Sequence, residues 1–390
     1  MRWDSLRLDE PPETGEAGDL FTPPRDRALP LIERGAVART FDTPGFRGMT
    51  FYEVQAKSVV NRVPEASRMP FKWTINPYRG CQHACSYCFA RKSHTYLDLD
   101  AGADFNTRVV VKVNAPELVR KKMASPSWQG EHISVGMNVD CYQRAEGRYQ
   151  LMPGIIRALR DAANPFSILT KGTLILRDID LLAEAAEVTE VGLNVSAGFV
   201  DKNLWRSIEP GTPAPQRRLE ACAALNERGL RCGVLMGPVL PFLSDSPAQL
   251  DATVRQIAAA GAPHVMPIVL HLRPGTREWF FAWLRAQHPE LVERYLDLYG
   301  HGAYAPKAYQ NRIAGQVREL ADKHGIGRPH HAAAPGHRVL SAPSPPQTQK
   351  PQWATQPLTA AATQPRPATE VPASRGQSRS PEPPEQLTLL

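Results

Sequence analysis

Hydrophobic positions along the chain follow two alternating periods. Short apolar, β-branched runs at 73–75, 109–113, 133–139, 166–170, 188–196, 231–236 and 264–270 read as buried parallel strands. Helical spacing separates most of them, at 152–163, 178–187, 214–228 and 247–260. A further helix should begin at Asn114-Ala-Pro-Glu117, with Asn as the cap, Pro in the first turn and Glu at the third position. Gly229 and Gly261 fall just past two of the helices, where a left-handed residue is wanted. This alternation predicts an α/β fold of βαβ units around a parallel sheet, with chemistry at the C-terminal ends of the strands. After Pro274 only helical spacing remains, at 278–287, 290–299 and 307–324.

The two ends of the chain lack any such period. Residues 1–40 are polar, charged and proline-containing, and read as irregular. Residues 329–390 are rich in Pro, Ala, Gln, Ser and Thr, a composition that cannot bury enough apolar surface to offset chain entropy, and read as a disordered tail. Between them lie an expected core at 41–275 and a helical extension at 276–328.

Of the 390 residues, 46 are Lys or Arg and 39 are Asp or Glu, giving a net charge of +7. That balance suits a polyanionic partner without demanding one. Six cysteines are too few for a disulfide-built secreted scaffold. Residues 1–20 carry no apolar run of the kind a secretory signal needs. The apolar stretch at 265–272 falls well short of the ~20 residues of a membrane span. A soluble, cytoplasmic protein with no membrane association is therefore expected.

Three of the cysteines crowd into Gly80-Cys-Gln-His-Ala-Cys-Ser-Tyr-Cys-Phe-Ala-Arg91, just after the first strand. Thiolates bind soft metals, and three on one short loop can converge on one centre. Structural zinc commonly takes two separated pairs, whereas Cys141, Cys222 and Cys232 lie far away and singly. His83 could complete a Cys3His zinc set, but its place inside the loop makes that geometry awkward. Three thiolates suit an iron–sulfur cluster with one iron open to a small ligand.

The C-x3-C-x2-C spacing after the first strand of a βα repeat resembles the signature of the radical S-adenosyl-L-methionine (SAM) enzymes. Further segments widen the match: Asp140-Cys-Tyr-Gln-Arg-Ala-Glu146, Thr170-Lys171 followed by Arg177-Asp178, and Glu209-Pro-Gly-Thr-Pro213 before Arg217-Arg-Leu219. Together they resemble the Rv2578c-type radical SAM proteins, relatives of spore photoproduct lyase, over roughly 50–328. The resemblance implies a partial (β/α)6 TIM-type barrel and a 4Fe-4S cluster on Cys81, Cys85 and Cys88. It also implies reductive cleavage of SAM to a 5′-deoxyadenosyl radical, with electrons from a reductant such as flavodoxin or ferredoxin. The lumen is expected to be dry, shielding the radical from water and oxygen.

The resemblance also assigns roles outside the cysteine loop. Tyr87 would lie near the adenine of SAM, or be a packing ring. Asn138 and Asp140, ending the second barrel strand, would line the SAM pocket, or serve ordinary turn chemistry. Lys171 and Ser196, ending the third and fourth strands, would hold the SAM carboxylate, against a surface lysine and a capping serine. Glu209 and Arg218 would contact SAM, Arg218 near its carboxylate, or hold their loop as an ion pair. In the photoproduct lyase a cysteine near the end of the second strand returns a hydrogen atom to the product radical. Here Met137 takes the nearest position, and Cys141 is either that donor or a partly buried free thiol. Cys222 and Cys232 read as core residues.

The chain end, Gln386-Leu-Thr-Leu-Leu390, resembles the short peptide by which bacterial polymerases and repair proteins bind the sliding clamp, with the tail as tether. Basic groups at Arg120-Lys-Lys122 and Arg217-Arg218 point the same way, to DNA as substrate. Modification of a protein, peptide or small molecule is the alternative, and a non-enzymatic metal-binding module is a third reading.

Overall fold

The computed structural model describes residues 31, 35–64, 69 and 71–327. Gln386 to Leu390, the rest of the Pro-rich segment and most of residues 1–40 lie outside the described residues. The strands are β1 (Val37–Arg39), β2 (Thr50–Val54), β3 (Val60–Arg62), β4 (Trp73–Ile75), β5 (Tyr78–Arg79), β6 (Arg108–Lys112), β7 (Ile133–Val135), β8 (Phe166–Thr170), β9 (Val191–Ser196), β10 (Cys232–Val239) and β11 (Val265–Val269).

The larger sheet has seven strands in the order β11-β10-β9-β8-β7-β4-β3. All its pairings are parallel except that of β3 with β4, which is antiparallel. β3 and β11 are its two edges, so the sheet is an open, partial barrel of βα units. Helices Ala115–Met123, Leu151–Asp161, Ile179–Val188, Pro215–Glu227 and Pro247–Ala259 carry the crossovers. They cover one face of the sheet. Ile133, Val135, Phe166, Ile168, Leu193, Val195, Val234 and Met236 point into that layer and are at most 2% exposed. Burying each such side chain is worth about 1.5–3 kcal/mol, which makes this layer the main source of stability. Gly229 and Gly261 end two of the helices at φ +86° and +68°, as their positions predict.

Three expectations change. Residues 109–113 do form a strand, but β6 belongs to a second sheet of order β1-β2-β6-β5 and never joins the barrel. Its partners are β2, parallel, and β5, antiparallel. β1 also lies within the segment read as irregular, because it pairs with β2 from Val37–Glu53 to Arg39–Phe51. Asn114 stands at the start of its helix, but its side chain does not cap it. The amide instead brackets the backbone of Ala56, accepting from its N–H at 2.9 Å and donating to its carbonyl at 3.0 Å.

The inner face of the barrel carries small and polar side chains. Alternate residues there are Ser134, Ser167, Gly192 and Asn194, and the last three are only half-buried. Helices Thr276–Gln287, Val292–Tyr299 and Lys307–Lys323 complete the described chain. The first of these seats its Thr276 hydroxyl on the carbonyl of Cys88 at 3.0 Å. Among the described residues no helix is long and apolar enough to cross a membrane.

Candidate radical SAM site

The cysteine loop leaves β5 at Gly80, whose φ of +80° and close neighbours, Arg108 O and the His94 ring, leave no room for a Cβ. All three of its cysteines are free thiols; Cys81 and Cys85 are buried and Cys88 is half-buried. Four separate contacts hold the loop. The fully buried Arg91 donates to Cys85 O from Nε at 3.2 Å and Nη2 at 2.9 Å, and to Gly102 O from Nη1 at 2.9 Å. Its guanidinium lies 4.6 Å from the Trp279 ring centroid. Gln143, also fully buried, donates from Nε2 to Gly80 O and accepts from the Gln82 N–H, each at 3.1 Å. Gly211 donates its N–H to His83 O at 3.1 Å, and a Cβ there would stand 2.0 Å from Gln82 O. The Glu-Pro-Gly-Thr-Pro segment is thus packed backbone to backbone on the cysteine loop, which only glycine permits. Thr276 supplies the fourth contact, at Cys88.

Burial raises the pKa of all three thiols above the ordinary thiol range, and at Cys81 the Asp140 carboxylate adds to it. Lys171 opposes the rise at Cys85 and Cys88, and Arg91 opposes it at Cys88. Cys81 also feels the charges of Cys85 and Cys88, and Cys85 that of Cys88, so thiolate formation at this loop is helped by a bound cation. A zinc site needs its ligands convergent on one ion. Among the described residues no three His, Cys, Asp or Glu side chains converge in that way. In a 4Fe-4S cluster each thiolate takes its own iron, a ligand set that three cysteines on one loop can supply.

The strand tips form a second group beside the loop. Asp140 spends both oxygens on positioning. Oδ1 accepts from the Tyr142 N–H at 2.9 Å and the Thr170 hydroxyl at 2.6 Å, and Oδ2 accepts from the Lys171 N–H at 2.6 Å. The same Oδ2 lies 3.4 Å from His83 Nδ1, linking the strand tips to the cysteine loop. Burial lowers the His83 pKa to about 4, so its ring is neutral at pH 7. Lys171 Nζ donates to Ser196 Oγ at 2.5 Å, and Ser196 Oγ donates to Gly237 O at 3.0 Å. Tyr87 lies below the same ammonium, its ring centroid 5.8 Å away, and its hydroxyl donates to Glu209.

Arg218 is 1% exposed and stands within its own loop. It pairs with Glu209 and donates to Pro213 O at 2.8 Å, Ser196 O at 3.1 Å and Thr212 Oγ1 at 2.5 Å. The ion-pair alternative is what its geometry displays, and its burial removes it from any surface basic patch. Asn138 keeps a buried Oδ1 without a hydrogen-bond partner, as Gln82 keeps its Oε1. Two orphaned acceptors beside free thiols and a strand-tip ammonium are what a cradle for a polar cofactor should display. Cys141 is fully buried, its sulfur against the turn at Gly136, where a Cβ would meet it at 2.9 Å. Burial raises its thiol pKa well above the ordinary range. Cys222 and Cys232 are both fully buried in the helix–strand layer. Gln143, Arg91 and Gly211 stood in the motifs as letters only; nothing in their spacing announced that they clamp the loop.

A model of the radical SAM superfamily matches residues 75–253, the stretch that carries all of these groups except Thr276 and Trp279. Rv2578c of Mycobacterium tuberculosis (strain ATCC 25618 / H37Rv) is 49% identical over 321 residues, 82% of this chain and 94% of that protein. MJ0683 of Methanocaldococcus jannaschii is 29% identical over 247 residues, 63% of this chain and 82% of that one. Spore photoproduct lyase complexed with dinucleoside spore photoproduct has the same fold, with a TM-score of 0.55 over 71% of this chain and 80% of that chain, at 12% identity. The chain belongs to the radical SAM superfamily, and it is a radical SAM enzyme. The cofactors of that family are a 4Fe-4S cluster and SAM, and its members draw on a reductant such as flavodoxin or ferredoxin. When bound, they supply a 5′-deoxyadenosyl radical able to take a hydrogen atom from a substrate.

Proposed function

We propose that this radical SAM enzyme acts on nucleic acid, in a lesion-repair reaction like that of a photoproduct lyase. The observation that carries the reading is an exposed aromatic and cationic rim against the cysteine loop. Phe89, next to Cys88, is 41% exposed and Tyr304 is 49% exposed. Arg273 joins them, its guanidinium 6.0 Å from the Phe89 centroid and 5.9 Å from that of Tyr304. Its Nη2 donates to the Tyr304 hydroxyl at 3.0 Å. Bases stack on such rings for about 1–3 kcal/mol each, while the arginine meets a phosphate. The likeness in fold to a protein solved with a dinucleoside photoproduct supports the same reading.

Within that site, Cys81, Cys85 and Cys88 would hold the cluster, and Lys171 with Ser196 would meet the SAM carboxylate. Tyr87 would flank the adenine and Asn138 would offer its free acceptor. Asp140 and Arg218 are positioning residues in this reading, and Cys141 is a core thiol. Residues 386–390 would tether the enzyme to the sliding clamp, and a clamp pull-down lost on their deletion tests that part.

The test of the reaction is incubation of the anaerobically reconstituted enzyme with ultraviolet-damaged DNA, SAM and dithionite. The expected result is 5′-deoxyadenosine together with loss of the lesion. SAM cleavage that leaves the DNA unchanged would overturn the reading in favour of a protein, peptide or small-molecule substrate.

A further inference from the structure

Among the described residues two arginines are fully buried, and their charges are met in opposite ways. Arg218 pairs with the carboxylate of Glu209. Arg91 has no such partner. An arginine is almost never fully buried without an anion beside it, because its charge loses hydration with nothing in return. Every hydrogen bond that Arg91 donates goes to a neutral acceptor. These are the carbonyls of Cys85, Ala101 and Gly102, and the Asn106 side-chain oxygen at 3.0 Å. The rings of Phe105 and Trp279 flank the guanidinium, their centroids 5.2 and 4.6 Å from it. These contacts satisfy its hydrogens, but none of the groups carries a formal charge.

Two acidic residues of the same segment are engaged elsewhere. Asp100 accepts from the Gly102 N–H at 2.6 Å and the Asp104 N–H at 3.3 Å, and Asp104 pairs with Arg108 at 3.0 Å. Asp100 acts on Arg91 from beyond ion-pair distance, and more weakly than Cys88, Cys85 or Cys81 as thiolates. In return, Arg91 is the cation that acts most strongly on Cys88. The anion missing from the surroundings of Arg91 is thus the ligand set of the cluster itself.

We infer that Arg91 is the fixed countercharge of the 4Fe-4S cluster and sets its reduction potential, a role beyond clamping the loop. Three thiolates give such a cluster net negative charge, and the electron received from the family's reductant makes it more negative. A buried, unpaired cation favours the more negative state and so raises the potential. Lys171 is a weaker source of the same effect, because its ammonium already lies 4.0 Å from Glu209 Oε1. Asn106 stands where a carboxylate would ordinarily meet a buried guanidinium, and its neutral amide leaves the charge of Arg91 to the cluster. The role is independent of whether nucleic acid is the substrate.

A redox titration followed by electron paramagnetic resonance tests the assignment, on the anaerobically reconstituted full chain without SAM and at matched iron per chain. Arg91→Gln should lower the ratio of reduced to oxidised cluster at a fixed potential about tenfold, which is about 59 mV for one electron. Arg91→Lys keeps the charge but loses the fork, and should stay within about threefold of wild type. Where loss of the guanidinium prevents cluster assembly, Asn106→Asp decides, because it neutralises Arg91 in place and keeps the hydrogen bond. It should lower the ratio in the same direction, again about tenfold. Equal shifts in Arg91→Gln and Arg91→Lys would make Arg91 a clamp alone and overturn the inference. An Asn106→Asp ratio within about twofold of the wild-type value would overturn it as well.

Discussion

Lys171 Nζ meets Ser196 Oγ at 2.5 Å, so the tips of β8 and β9 are joined by a lysine whose ammonium also lies 4.0 Å from Glu209 Oε1. The Lys171 backbone is fixed independently, by Asp140. Removing the hydroxyl therefore leaves the lysine in place and disturbs only its aim. Ser196→Ala should weaken SAM binding about tenfold or more, the usual scale for a hydrogen bond to a charged group. Calorimetry on the reconstituted protein checks it, and an unchanged affinity would take this pair out of the SAM site.

Gln143 touches no sulfur, yet it holds the backbone on both sides of Cys81. Replacing it by Leu keeps the volume and orphans one buried N–H and one buried carbonyl, at about 1–3 kcal/mol each. The loop, once released, should ligate iron less completely. Gln143→Leu should show reduced iron per chain after anaerobic reconstitution while its far-ultraviolet circular dichroism is retained. Full iron loading would show that the clamp is dispensable.

Gly211 gives a steeper test of the same packing. A methyl group there would stand 2.0 Å from Gln82 O and 3.0 Å from the His83 carbonyl carbon, so two backbones must part. Gly211→Ala should lose both iron and SAM binding. Gly315, in the helix Lys307–Lys323, has nothing within 4 Å of its Cβ position and serves as control. Gly315→Ala should keep cluster and SAM and gain about 0.5–1 kcal/mol of stability. Equal behaviour of the two variants would refute the close approach.

How much of this was legible beforehand depends on length and partner. β8, β9, β10 and β11 run five to eight residues and declare themselves by β-branched composition. β1, β3 and β5, with three, three and two residues, are too short to carry a period. β6 was visible as a strand but not as a member of the second sheet, because composition says nothing of register partners. The same limit governs the site. The cysteine spacing is local and readable, whereas the Gln143 clamp spans 63 residues to Gly80. The sequence allows the Glu209–Arg218 ion pair as one reading, but it does not show that Arg218 is fully buried and also holds the carbonyls of Ser196 and Pro213. The polar inner row escaped notice because isolated Ser and Asn residues inside apolar runs look like noise until the strands are aligned.

His94 makes stability depend on pH. It is fully buried, its Nε2 2.8 Å from Arg108 O and its ring edge-on to Phe105. Burial pushes its pKa down to about 4, against the pull of that carbonyl. In the unfolded chain the same ring titrates near 6.5. Above that pH neither state binds the proton and the full stability is present. As pH falls from about 6.5 towards 4 only the unfolded chain takes the proton up, so the folded state loses ground by on the order of 3 kcal/mol. The neutral His83 contributes a loss of the same sign, so a single substitution should remove only part of the slope. His94→Asn, which cannot titrate, should therefore melt at a temperature that falls less steeply between pH 6.5 and pH 4 than the wild-type value does. Scanning calorimetry across that window at constant ionic strength measures the difference, and parallel slopes would exclude His94 as a source.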